Sequence, residues 1–193
     1  MSRRSVVALG LTCAALLAGC SGTPETSATF PALPSATGST AGFPATRGLT
    51  ATQLRVVTVA REQFEHPQSA TTYSQGVDEA WCADFVSWVM KTAGTPLRNP
   101  NSGGWRIPGV YTLQDYFTKV GRFHRGGSAY RPVIGDVVMY DTPNRWGNHT
   151  NLVVATSGDS FTTVGGNQPG GITVTTQNVT DAGILGYGSL PRT

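Results

Sequence analysis

The hydrophobic period of this chain changes once, near Pro132, and that change limits the folds open to it. Before Pro132 the apolar residues recur at helical spacing. Beyond it they gather in short runs, residues 136–140, 149–155, 160–164, 172–176 and 184–187, separated by Gly, Pro, Asn and Asp. Runs of that length and spacing read as antiparallel strands. Helices first and strands afterwards argue for an α+β fold, with the helices on one side of the sheet. No internal repeat of solenoid length is present.

Three helices are expected ahead of the strands. The first opens on Thr50-x-x-Gln53, a capping-box pattern, carries Leu54, Val57 and Phe64 along one face, and stops near His66-Pro67. A loop with Tyr73 and Gly76 leads to the second, residues 78–94, with Asp78 as N-cap and Phe85, Trp88 and Val89 at helical spacing. Gly94 stands at its C-terminal end, with Pro96 beyond. A Gly/Pro/Asn-rich stretch precedes a short third helix, 112–120, closed by Gly121. Cys82 then falls in the first turn of the second helix. There, unpaired backbone N–H groups and the positive end of the helix dipole favour a thiolate. The competing reading is a buried structural cysteine.

The first 20 residues have a basic start, an apolar run and a small-residue exit, the form of a secretory signal. The run is short for a permanent membrane span. Leu17-Ala18-Gly19-Cys20 resembles the lipobox of bacterial lipoproteins, which implies cleavage before Cys20 and lipid attachment to its sulfur. Residues 21–48 are rich in Ser, Thr, Gly, Ala and Pro and read as a disordered tether. The expected organisation is therefore a signal at 1–19, a tether at 20–48 and one folded domain at 49–193. Loss of Arg3 and Arg4 with the signal lowers the net charge from +3 by two, to +1. That charge makes no case for nucleic acid as a partner. The seven Lys/Arg between Arg98 and Arg145 read as a solvated basic face. With Cys13 in the signal and Cys20 as anchor, Cys82 is the only thiol left in the folded part. Exported proteins pair their cysteines or avoid them, so a lone one calls for a use or for complete burial.

A thiol nucleophile needs a base, and the base needs a third group to fix its tautomer. His66 stands at a helix end and His124 among loop residues. His149, at the head of an apolar strand, is the best placed of the three to reach a helix terminus across the sheet rim. Asn167 follows in Val-Gly-Gly-Asn-Gln-Pro, where two adjacent strands would bring it beside His149. It reads equally well as a turn residue.

Trp81-Cys82-Ala83-Asp84-Phe85-Val86-Ser87-Trp88-Val89, Gly135-Asp136-Val137-Val138, His149 before an apolar strand and Gly166-Asn167 after another resemble a CHAP domain, over about residues 50–190. These are cysteine, histidine-dependent amidohydrolases and peptidases. The resemblance implies a papain-like (NlpC/P60-type) α+β fold and cleavage of an amide bond in peptidoglycan, either muramoyl–L-alanine or within the stem peptide and cross-bridge. It implies Cys82 as nucleophile, His149 as general base and Asn167 as orienting residue. Tyr73 and Gln75 are candidates for the oxyanion hole beside the Cys82 backbone N–H, and Trp105 and Trp146 for the substrate groove. Two positions depart from the family pattern. Gly165 stands where many members carry an acidic residue, and Thr150-Asn151 is more polar than usual. A fold kept for wall binding without catalysis is the alternative. The NlpC/P60 peptidases themselves, which usually carry a second histidine where Asn167 stands, are a further one. No cofactor and no metal site are expected. The expected partners are peptidoglycan and the membrane through the lipid anchor; the sequence does not reveal whether a protein partner activates the domain.

Overall fold

The computed structural model describes residues 42–45 and 47–191. The signal segment, Cys20 and most of the expected tether lie outside the described residues. Phe43 and Pro44, expected in the tether, instead meet the first helix. Arg61 donates to the Pro44 carbonyl (3.0 Å) and lies over the Phe43 ring, which also meets Phe64.

The helices are α1 (Ala51–Glu65), α2 (Ala70–Tyr73), α3 (Cys82–Thr92) and α4 (Val110–Lys119). The strands are β1 (Phe123–Arg125), β2 (Val137–Tyr140), β3 (His149–Ser157), β4 (Ser160–Gln168), β5 (Gly171–Asn178) and β6 (Ile184–Gly188). The sheet is antiparallel throughout, in the order β1-β6-β2-β3-β4-β5. The expected α+β arrangement of helices packed on an antiparallel sheet is present.

The Thr50 capping box forms with both of its hydrogen bonds. The buried face of α1 is Val56, Val57, Ala60 and Gln63, whereas Leu54, expected on it, is exposed. Asp78 does not cap α3: the helix begins four residues later, Trp81 is its N-cap, and no side chain bonds the cap. Gly94 takes φ 75° just past the end of α3, and the Gly94 and Thr95 N–H groups close on Lys91 and Met90 carbonyls. α4 begins two residues earlier than expected, with Gly109 as N-cap. α2 and β1 had no periodic signal, because each is only three or four residues long.

One face of the sheet carries the main core. Phe85, Val86, Val89 and Met90 from α3 pack with Leu152 and Val154 of β3 and Val164 and Val174 of β4 and β5. The opposite face holds a smaller cluster of Val138, Tyr140, Val153, Phe161 and Tyr187, with Tyr130 and Trp146 against it. Trp81, Tyr73, Phe85 and Trp88 form an aromatic group in which the Tyr73 and Trp81 rings stack at 5.2 Å. Trp81 lies directly on β4, because a Cβ on Gly166 would stand 2.2 Å from its ring. That close approach sets the start of α3 against the end of β4.

Candidate active site

Cys82 is the first residue of α3 and is 5% exposed. Its thiol meets the backbone N–H groups of Thr150 and Ala83, so the helix terminus abuts β3 one residue past His149. The helix-dipole argument favours a thiolate here, but the balance goes the other way. Burial pushes the Cys82 thiol above its ordinary value, the Thr150 and Ala83 N–H groups pull it down, and the Asp84 carboxyl adds to the rise. Loss of water around the sulfur outweighs the helix terminus.

His149 heads β3 and is equally buried. Burial holds its imidazole down at about 4, with the Asn151 side chain acting in the opposite sense. Burial thus favours the uncharged form of each group. The ring lies near those of Tyr140 (centroids 6.4 Å) and Trp146 (5.5 Å), and the Arg145 guanidinium lies over the Trp146 ring. Trp146, expected on the substrate groove, thus lies beside the imidazole.

Two amides meet the imidazole, that of Asn151 and that of Gln168, whose Nε2 is 3.0 Å from His149 Nε2. The same amide nitrogen donates to Asn151 Oδ1 at 2.8 Å, and the Thr173 hydroxyl donates to Gln168 Oε1. Asn151 Nδ2 in turn reaches Thr163 Oγ1 at 3.1 Å. Asn167, expected in this role, is exposed, with φ 59°. The cause is a β-bulge. Gly165 pairs with Thr173, but Gln168 pairs with Gly171, so Gly166 and Asn167 together oppose Ile172. In a regular strand residues 163, 165 and 167 share a face. The extra residue passes that face to 163, 165 and 168. Asn167 also lies inside β4 and not in a loop after it. Gly-Gly followed by an Asn tolerant of the left-handed region was the available signal for the bulge.

The missing acidic side chain has a structural counterpart. A Cβ on Gly165 would lie 1.7 Å from Asn151 Oδ1 and 2.6 Å from Gln168 Nε2. The volume an acidic side chain would enter is filled by two amides.

Of the remaining candidates, Tyr73 is fully buried. Its hydroxyl donates to Gln63 Oε1 (2.9 Å) and accepts from the Gln68 N–H (3.0 Å), which commits it to the core and away from an oxyanion. Gln75 is exposed, at φ 57°, on a groove of about 300 Å³ that it shares with Asn99, Trp105 and Arg106. Trp105 is half-buried on that groove, with the Lys91 ammonium over its ring. Arg106 anchors the groove to α3: its Nε is 2.7 Å from Asp84 Oδ1, and its Nη2 pairs with Glu79. Burial pushes the Asp84 carboxyl up to about 6. The Arg106 guanidinium opposes that rise by favouring the charged form. Asp84, read from its place in the helix as structural, thus ties the groove to the cysteine helix.

Among the other histidines, His66 caps α1 and is exposed. His124 is not an exposed loop residue. It lies in β1, half-buried, stacked on Tyr130 at 3.6 Å and within 3.1 Å of Ser189 Oγ. Among the described residues no three His, Cys, Asp or Glu side chains gather at metal-binding spacing, and no helix is long and apolar enough to cross a membrane.

A cysteine at the head of a helix, set against the first residues of a strand that begins with a buried histidine, defines a thiol-centred α+β domain. The chain contains a CHAP domain: the model of that family matches residues 72–167, a span running from α2 through Cys82 and His149 to Asn167. No curated protein and no solved structure matches the chain.

Proposed function

We propose that this protein is a cell-wall hydrolase that cuts an amide bond of peptidoglycan with the Cys82 thiol. The fold is read as papain-like. The observation that carries the proposal is the meeting of Cys82, at the start of α3, with the Thr150 N–H beside a buried His149. With both groups neutral at rest, His149 takes the thiol proton as sulfur attacks the carbonyl carbon, acting as general base. It then returns that proton to the leaving amine, and water hydrolyses the thioester. The Cys82 backbone N–H, with Gln75 as the second donor, stabilises the oxyanion. Trp105 and Trp146 border the bound substrate. Cys20 serves as a lipid anchor, and residues between it and the domain serve as a tether that carries the domain outward from an extracytoplasmic membrane face.

The test is mass spectrometry of the products released from purified peptidoglycan by the wild-type protein and Cys82→Ala. Release of muropeptides with a new free amine by the wild type alone supports the proposal, and their masses identify the bond. Equal release by both proteins rules out thiol chemistry.

The raised thiol and the absence of a carboxylate at Gly165 favour a second reading, a wall-binding lipoprotein that keeps the fold without turnover. Sacculus binding unchanged in Cys82→Ala, with no products from either protein, would select it.

A further inference from the structure

We propose that Gln168, and not Asn167, is the positioning residue for His149, and that its side-chain amide reverses as the imidazole changes tautomer. This rests on the hydrolase reading for its consequence but on the buried amide network for its argument.

An orienting group must touch the ring nitrogen that faces away from the nucleophile. Gln168 holds Nε2, and on this proposal Nδ1, the other ring nitrogen, exchanges the proton with sulfur. It is 7% exposed, and three of its four hydrogen-bonding positions are used: two N–H groups on His149 Nε2 and Asn151 Oδ1, and Oε1 on the Thr173 hydroxyl. The bulge at Gly166-Asn167 delivers this side chain to the imidazole, and Gly165 leaves the room for it.

In the arrangement seen, Gln168 donates to His149 Nε2, so the ring proton sits on Nδ1. A base ready for the thiol proton needs the other tautomer, with Nε2–H donated and Nδ1 bare. The ring gives its Nδ1 proton to solvent and takes a solvent proton at Nε2, and the network holds that tautomer when both amides turn over. Gln168 Oε1 then accepts from His149 Nε2–H and from Asn151 Nδ2, while Gln168 Nε2 donates to the Thr173 hydroxyl. Asn151 Oδ1 accepts from the Thr163 hydroxyl, which already lies within reach of it through the 3.1 Å contact. Gln168 keeps its three partners in either arrangement, while Thr163 turns its hydroxyl proton from the Thr175 carbonyl to Asn151. The thiol proton moves to Nδ1, Nε2–H stays on Gln168 Oε1, and the products are a thiolate and an imidazolium. A carboxylate would serve only the second arrangement, whereas an amide serves both.

The charged or titratable groups around the ring are Cys82 from α3, Tyr140 from β2 and Arg145 over the Trp146 ring. β4 and β5 face it with the neutral Gln168 and Thr173, and Asn151 is its neutral neighbour on β3.

The experiment uses the full chain, labelled with ¹⁵N-histidine. Long-range ¹H–¹⁵N spectra read the His149 tautomer and titration, and muropeptide release gives kcat and KM. Gln168→Glu is expected to lock the Nε2–H tautomer and raise the His149 midpoint by about one pH unit or more. Gln168→Ala is expected to mix the tautomers and lower kcat about ten-fold or more with little change in KM. Thr173→Val, which frees Gln168 Oε1 without touching the ring, is expected to shift the population toward Nε2–H, and it serves if a Gln168 variant fails to fold. Asn167→Gly, which keeps the left-handed backbone, is expected to lose less activity than Gln168→Ala.

An unchanged His149 tautomer and midpoint in the Gln168 variants, or in Thr173→Val should those not fold, overturns the proposal, as does a loss in Asn167→Gly equal to that in Gln168→Ala. If the wild type releases nothing from peptidoglycan, the hydrolase reading fails, and the spectra still decide the role of Gln168.

Discussion

Burying a neutral imidazole makes this fold sensitive to acid in a window set by one residue. His149 is held at about 4 against an ordinary value of 6.5, so unfolding in that interval takes up a proton. The unfolded chain binds more protons there, and stability must fall as the pH drops. Across the whole interval, at about 1.4 kcal/mol per pH unit, the effect is about 3 kcal/mol. Between about pH 7.5 and about pH 5 the linkage relation gives about 2 kcal/mol. Asp84 acts in the opposite sense. Its carboxyl is raised from 3.8 to about 6, so it keeps its proton longer in the folded chain, and its contribution weakens stability as the pH rises through that range. Comparison with His149→Gln cancels Asp84, which both proteins carry. Urea unfolding followed by tryptophan fluorescence at the two pH values measures the difference. The wild type should lose about 2 kcal/mol more than the variant on acidification. Parallel losses in the two proteins would mean that the imidazole titrates freely in the fold, and the buried-base argument would be wrong.

Three further outcomes follow from the same contacts. Without substrate, iodoacetamide should label Cys82 slowly at neutral pH, with a rate that climbs only above about 8.5, the free-thiol range. A plateau already reached in mildly acidic buffer would show a preformed thiolate instead. Arg106→Met leaves the fully buried Asp84 carboxylate without its guanidinium and should cost about 3 kcal/mol in chemical denaturation at neutral pH. A loss below half that size would mean that the pair is effectively solvated. Gly166→Ala drives a methyl into Trp81 and Phe85 and should cost about 1–3 kcal/mol, while shifting the start of α3 and with it Cys82. A melting temperature equal to that of the wild type would show that the contact yields.

Legibility divides along the range of the forces involved. The α1 capping box was readable because its partners, Thr50 and Gln53, are three residues apart. The α3 N-cap was misread because nothing local separates Asp78 from Trp81 as a starting point; the aromatic packing of Trp81 on Gly166 decides it. Cys82 in a first turn and His149 at a strand head were readable for the same local reason as α1. Their ionisation was not. A helix terminus favours a thiolate, but how much water the sulfur loses depends on β3 closing over it. The third member of the site shows the limit most clearly. Alternation along β4 points Asn167 at the imidazole, and one bulge hands the position to Gln168.

The order of periodicities, helical before Pro132 and extended after it, determined by itself that this chain builds helices against an antiparallel sheet, because amphipathic spacing is written residue by residue. Only the tertiary structure decided which amide meets His149 and that burial raises the Cys82 thiol and lowers the His149 imidazole. Hydrogen-bond register and removal from water are properties of strands and helices brought together, and neither is carried by any one segment.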